Sequence, residues 1–240
     1  MTRAIHRYES IDSTMRRAAE LAAEECPSGT AVVAAEQTAG HGRYGRSWHS
    51  SPGDGLYVSV VLRPAVNQIA LPVTTLALGL ATVAAIEQVT GLKCDLRWPN
   101  DVMVQDRKCA GILTELHGTA IIAGIGINVN HAAFPEDISG LATSIFLATG
   151  KQNAIDRLLE ALLPSIDDHL AILSADGPNA IIEAFSHASS YARGRRVIVD
   201  MAKESITGIT AGLQSDGFLL VTDLHGRRHT IVAGGVRPAP

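Results

Sequence analysis

Two short stretches concentrate the residues able to do chemistry. In the first, Gly40, Gly42 and Gly45 alternate with Arg43 and Arg46 and lead to Trp48. Glycines let backbone N–H groups approach a ligand closely, and a guanidinium grips phosphate through two parallel hydrogen bonds, so the pattern suits an anion. In the second, Arg97-Trp98-Pro99-Asn100-Asp101 is followed by Asp106-Arg107-Lys108. The chain has 16 Arg and only 4 Lys, so a lysine directly after Arg107 points to a need for an ammonium rather than for any cation.

The glycine stretch imitates two nucleotide motifs. Gly40, Gly42 and Gly45 spell the GxGxxG of dinucleotide sites, and Gly40 to Ser47 spells a Walker A sequence with Arg46 in place of lysine. Both motifs work only if a helix opens after the last glycine and holds the phosphates at its N-terminus. Trp48-His49-Ser50-Ser51-Pro52-Gly53 is loop chemistry instead, so neither is expected to operate. There is no HExxH and no GxSxG, and His225 and His229 are separated by a Gly-Arg-Arg turn; no metal ligand or serine nucleophile is assigned.

The elements that must hold these stretches are legible in outline. With 240 residues, 46% of them hydrophobic, the chain can build a core without disulfide or metal staples. Asp12 or Ser13 caps a predicted helix running to Glu25. Strands are expected over Thr30 to Glu36 and Leu56 to Leu62, with a long loop between them. Ile69 to Ile86 is 18 residues without a charge, long enough to raise the question of a membrane span. Its Pro72, Gly79 and threonines, and its reliance on alanine, fit a helix buried inside a globular fold better. Further strands are expected around Cys94 to Trp98, Cys109 to Leu116 and Thr119 to Asn128, with Asn100 and Asp101 on a loop because Pro99 breaks pairing. Helices follow over about 153 to 173, kinked at Pro164, and from Asn179 to Ser189.

From Arg193 onward short strand-like segments alternate with turns and no helix intervenes, the texture of a small β-barrel. The boundary expected is a body over 1–190 and a β module over 191–240. The module holds seven basic residues, Lys203 among them, against four acidic. The whole chain carries a net charge of −4, which excludes nucleic-acid tracking by bulk charge. Cys26, Cys94 and Cys109 form no CxxC pair, and MTRAIHRYESIDSTM lacks an apolar signal segment, so a cytoplasmic protein with reduced thiols is expected.

Taken in order, Asp12-Ser13-Thr14, Glu36-Gln37, GHGRYGRSW, RWPND, DRKCAGIL and GIGIN resemble the motifs of the biotin protein ligases. The resemblance implies an α+β fold, a mixed β-sheet flanked by helices of the class II synthetase-like type, with a small C-terminal SH3-like β-barrel. It implies ATP-driven activation of biotin to biotinyl-5′-AMP, with Mg²⁺, and transfer to a lysine of the biotin carboxyl carrier protein domain of acetyl-CoA carboxylase. Only 11 residues precede Asp12, so no operator-binding winged helix and no specific DNA partner are expected. No membrane partner is expected, and the resemblance leaves room for a homodimer.

By the same resemblance Lys108 is the cation at the reacting carboxylate and phosphate, Arg43 assists it, and Asp101 orients the carrier lysine. Biotin is expected against Ser13, Thr14 and Gln37, the loop residues Gly40, His41, Gly42 and Arg43, and Lys108. Gly111, Leu113, Gly124 and Gly126 complete that set. ATP and adenylate are expected against Arg43, Arg46, Trp48, Asn100, Lys108 and Asn128. An acyl adenylate hydrolyses if water reaches it, so the loop from Thr38 to Pro52 is expected to close over it and to be poorly ordered without ligand. Two positions depart from the family pattern: His41 stands where arginine is usual, and Met15 where asparagine is common, so weaker retention of biotin or adenylate is expected. The alternatives are a lipoate or octanoate ligase or transferase of the same fold, and a non-catalytic biotin-binding module.

Overall fold

A computed structural model describes residues 3–64, 71–201 and 204–239. Lys203 and the first two residues of the apolar run, Ile69 and Ala70, lie outside them. Seven strands form the larger sheet: β1 (Ile5–Ile11), β2 (Ala31–Gln37), β3 (Gly55–Leu62), β4 (Asp95–Arg97), β5 (Asp101–Val104), β6 (Arg107–His117) and β7 (Ala120–Asn128). Their order is β1-β2-β3-β7-β6-β5-β4; β1 runs parallel to β2 and every other neighbour pair is antiparallel. This is the mixed sheet expected.

Helix α1 (Thr14–Ala23) covers one face, where Met15, Ala18, Leu21 and Ala22 pack on Val32, Val61, Ala120 and Ile122. On the other face lies α2 (Leu71–Thr90), covered in turn by α5 (Ile155–Asp176) and α6 (Pro178–Ala188). Between β7 and α5 come two short helices, α3 (Glu136–Ser139) and α4 (Ile145–Thr149). The long apolar run is thus a core helix: Val73, Leu76, Ala77, Leu78, Ala81, Ala85 and Ile86 are buried. Each large aliphatic side chain so covered contributes about 1.5–3 kcal/mol, which explains a helix with no polar face. Helix α5 is continuous through Pro164.

A second, antiparallel sheet closes the chain: β8 (Arg193–Asp200), β9 (Ser205–Leu213), β10 (Leu219–Asp223), β11 (Arg228–Ile231) and β12 (Gly235–Pro238), ordered β11-β10-β9-β8-β12. It is the C-terminal SH3-like unit. Val197, Val199, Leu219, Val221 and Ile231 join the same apolar cluster as α2 and the large sheet. Trp98 Nε1 donates to the Gly217 carbonyl at 2.9 Å, tying the RWPND turn to the β9–β10 connection.

Three local expectations are corrected. Asp101 does not lie on a loop. Asn100 ends the turn after the Trp98–Pro99 peptide, but Asp101 opens β5, paired with Arg97 on one side and Gly111 on the other. The strand β1 was not expected at all; Ile5–Ile11 alternates at a sheet edge with polar residues outward, which hides it from a reading based on apolar runs. Helix α1 stops at Ala23, and Ser13 occupies its N-cap without a side-chain capping bond; Asp12 Oδ1 instead accepts from the Ser13 N–H at 2.6 Å.

Candidate active site

The glycine-rich loop connects β2 to β3 and is drawn tight by its own backbone. Gly42 N–H donates to the Arg46 carbonyl at 2.7 Å, Trp48 N–H to the Gly40 carbonyl at 2.9 Å, and His41 bridges Ser47. A single 3₁₀ turn, Arg43–Gly45, with Tyr44 in the left-handed region, replaces the helix both nucleotide motifs require. Its end lays the Trp48 indole over two glycines, Gly111 of β6 and Gly126 of β7, which are partners across that strand pair. A Cβ would meet the indole at 2.6 Å on Gly126 and at 2.9 Å on Gly111, so the bare backbone is what seats the ring.

Lys108 reaches the same place. Its ammonium lies 5.3 Å from the centroid of the Trp48 ring, and its Nζ and Cε are 2.9 Å from where a Gly111 Cβ would stand. Nζ is 2.6 Å from Asp101 Oδ1, while Arg97 donates to Oδ2 from Nη2 at 2.7 Å and from Nε at 3.2 Å. Burial pushes the Asp101 carboxyl up; the Lys108 and Arg97 charges and their hydrogen bonds pull it down and prevail, leaving it below the usual carboxylate range. Asp101 is therefore ionised at neutral pH. The Arg43 guanidinium approaches from the loop: Nη1 donates to Asn100 Oδ1 at 3.3 Å and to the Gly234 carbonyl at 3.5 Å. Arg43, Trp98, Asn100, Ile112, Leu113 and Val232 help line a cleft of about 180 Å³ beside this cluster.

A second group of polar side chains lies where α1 meets the sheet. Gln37 Oε1 accepts from Thr14 N at 2.9 Å and Thr14 Oγ1 at 3.0 Å, and Ser59 Oγ donates to Thr14 Oγ1 at 2.8 Å. Met15 sits over Gly124, and Gly40 lies against Gln37 and Ser50. Two buried polar atoms in these groups, Ser13 Oγ and Trp48 Nε1, make no hydrogen bond within the protein. A buried hydroxyl and an indole N–H are costly when unpaired, so both suit contact with a polar ligand.

The structure thus joins Arg43, Trp48, Asn100, Asp101, Lys108, Gly111 and Gly126 in one cluster, with Ser13, Thr14, Gln37, Gly40 and Gly124 beside it. Gly42 sits in the loop's own turn. Three expected residues stand apart from substrate-facing positions. Arg46 is exposed, and its side chain has no partner among the described residues. The Asn128 amide donates to the backbone carbonyls of Thr143 at 3.0 Å and Lys108 at 3.4 Å, bracing β6. His41 faces Glu115 at 3.8 Å. Two residues went unassigned in the sequence. Ser59 is a fully buried hydroxyl in the otherwise apolar GLYVSVVL, and that isolation was its signal. Arg97, quoted within RWPND, is the second cation on Asp101. Among the described residues no group of three His, Cys, Asp or Glu is placed to hold a metal.

Residues 8–131 match the biotin/lipoate A/B protein ligase family. The bifunctional ligase/repressor BirA of Bacillus spizizenii is 43% identical over 154 residues, 61% of this chain and 47% of that protein. The chain therefore spans about half the length of the curated relatives it matches first. The biotin–[acetyl-CoA-carboxylase] ligase of Paracoccus denitrificans is 31% identical over 228 residues, 90% of this chain and 93% of its own. Among solved structures, the biotin protein ligase from Aquifex aeolicus in complex with biotin and ATP superposes with a TM-score of 0.89 at 32% identity, covering 99% of this chain and all of that one. On these matches, with the loop tryptophan, the paired glycines and the lysine in place, the chain belongs to the biotin/lipoate A/B protein ligase family.

Proposed function

We propose that this protein activates biotin with ATP and transfers it to a lysine of a biotin carboxyl carrier domain, as in acetyl-CoA carboxylase. In the first half-reaction a biotin carboxylate oxygen forms a bond to the α-phosphorus while the bond to the β-phosphate bridge breaks, releasing pyrophosphate. Two anions must meet, and charge spreads over the phosphorus oxygens, so the chief demand is for placed cations. Lys108 is the ammonium at the reacting groups and Arg43 the guanidinium over the phosphates, with Arg46 joining when the loop closes. Asn100 holds the surrounding backbone and borders the nucleotide, while Asn128 braces the strand behind Lys108. In the second half-reaction the carrier amine attacks the acyl carbon, AMP leaves, and the amine gives up a proton. Asp101, ionised and already holding two cations, orients that incoming amine.

Biotin's ureido ring offers two N–H donors and one carbonyl acceptor; Ser13, Thr14 and Gln37 are the polar partners, with Met15 and the Trp48 indole, seated on Gly124 and Gly126, against the apolar part. Mg²⁺ would enter as the salt of ATP, and no step is assigned to it. The catalytic unit is the body to about residue 190, with 191–240 as an accessory module. We place the protein in the cytoplasm, without a membrane or operator DNA partner; a homodimer is compatible with this reading.

The observation that carries this reading is the convergence of the loop's Trp48 and the Lys108 ammonium at Gly111. Incubation with biotin and Mg-ATP should release pyrophosphate, add a biotinyl mass to a biotin carrier domain and leave a lipoyl domain unmodified; Lys108→Ala should slow the first about 10²–10³-fold. Modification of the lipoyl domain alone would reassign the substrate, and binding of biotin without pyrophosphate would leave only a binding module.

A further inference from the structure

Lys108 lies two residues beyond a strained hairpin. The β5–β6 turn is made by Gln105 and Asp106, both with positive φ, at 50° and 60°. That is the geometry of a two-residue turn usually filled by Asn-Gly, and side chains other than glycine or asparagine hold it at a cost. What offsets the cost comes from a distant part of the chain. Tyr191 Oη donates to Asp106 Oδ1 at 2.9 Å, and Arg195 Nη2 donates to the same oxygen at 2.5 Å. Tyr191 is fully buried, and the Arg195 guanidinium stacks on its ring at 3.8 Å.

The same segment grips the neighbouring strand. Arg195 Nη1 donates to Ser190 Oγ at 2.7 Å, and Ser190 holds both carboxylate oxygens of Asp95 on β4. Arg195 reaches back because β8 is bulged between Arg193 and Arg196, where the register with β9 shifts. A bulge re-aims a side chain out of the ladder. Strand β4 and the β5–β6 turn are therefore both clamped from residues 190–195, and Asp106 is kept ionised by the same hydrogen bonds.

We propose that Tyr191 and Arg195 are positioning residues for adenylate formation: by holding Asp106 they fix the β5–β6 hairpin and with it the Lys108 ammonium. This rests on Lys108 acting in that step, as proposed above.

The test is single-turnover formation of biotinyl-AMP by the full chain, at a temperature where every variant is folded by circular dichroism. Arg195→Gln and Asp106→Ala should each slow the step about tenfold, and Tyr191→Phe less, since misplacing a catalytic group by a fraction of an ångström suffices for losses of this size. Arg195→Lys should recover part of the rate. In the Lys108→Ala background, Arg195→Gln should cost nothing further, because its effect runs through the ammonium; a general weakening of the fold would multiply instead. A wild-type rate for both Arg195→Gln and Asp106→Ala overturns the proposal, as does a tenfold further loss on Lys108→Ala. A wild-type rate for Lys108→Ala itself is a separate failure, of the role given to that lysine. Should Arg195→Gln not fold, Asp106→Ala, which removes the shared acceptor, and Tyr191→Phe, which removes one donor, decide the matter.

Discussion

Asp101 Oδ1 lies 2.6 Å from Lys108 Nζ across the β5–β6 hairpin, so the ammonium proposed to meet substrate is held by a carboxylate in the protein alone. The pairing fixes where the charge stands and also screens it, and substrate anions must share Lys108 with Asp101. Lys108→Ala is expected to slow pyrophosphate release about 10²–10³-fold, the scale for losing one preorganised electrostatic contact. Asp101→Ala is expected to slow both half-reactions. If carrier transfer from preformed biotinyl-AMP ran at the wild-type rate, Asp101 would have no part in orienting the carrier amine.

Gly126→Ala tests the seat of the lid. The added methyl would stand 2.6 Å from the Trp48 ring, so the indole and the loop bearing it must lift. Adenylate should then escape or hydrolyse faster, about tenfold, while the melting temperature moves little because the loop contributes little to the core. Quenched-flow trapping of adenylate released to solvent reads this directly; unchanged retention would mean that the indole closes elsewhere.

His41→Arg should tighten biotin binding several-fold at pH 8, since arginine would place a permanent cation at this position. Glu115, 3.8 Å from His41, would compete for that cation. The gain should therefore be larger in a Glu115→Gln background, by calorimetry, and equal affinities across all four proteins would make position 41 peripheral.

His131 should impose an acid limit on stability. Its ring is 1% exposed, stacks on Phe134 at 5.1 Å and lies 3.3 Å from the Tyr57 hydroxyl. Burial holds its pKa below the ordinary 6.5, against the opposing pull of Asp54. The unfolded chain therefore takes up a proton at a pH where the native chain does not, so stability falls as pH drops from about 7 toward the lowered native value. His131→Asn should lower the melting temperature at pH 7 and flatten its decline between pH 7 and 5. An unaltered slope would place the sensitivity on another group.

Much of this was legible before any coordinates because the informative residues violate their surroundings. Glycines interleaved with arginines, one lysine in an arginine-rich chain, and a proline inside RWPND each contradict the simplest local structure, and each lies in the cluster. The buried strands β3 and β7 announce themselves by β-branched runs, since both faces are covered. Edge strand β1 does not, because half its side chains meet water. Nor does any local pattern reveal that Arg97 and Lys108 share Asp101, or that the Asn128 amide is spent on two carbonyls. Those facts depend on strand register, which residue types alone do not encode.

The burial of α2 on every side has a consequence for the order of synthesis. When its last residue, Thr90, is added to the chain, no strand after β3 has yet been made, and the covering helices α5 and α6 come only from residue 155 on. Gly217, which lies against Val73 and Leu76, is later still. The nascent chain must therefore carry this apolar rod without its covering helices until α6 is complete at Ala188, a period in which holdase chaperones and tempo of elongation govern yield more than the final stability does.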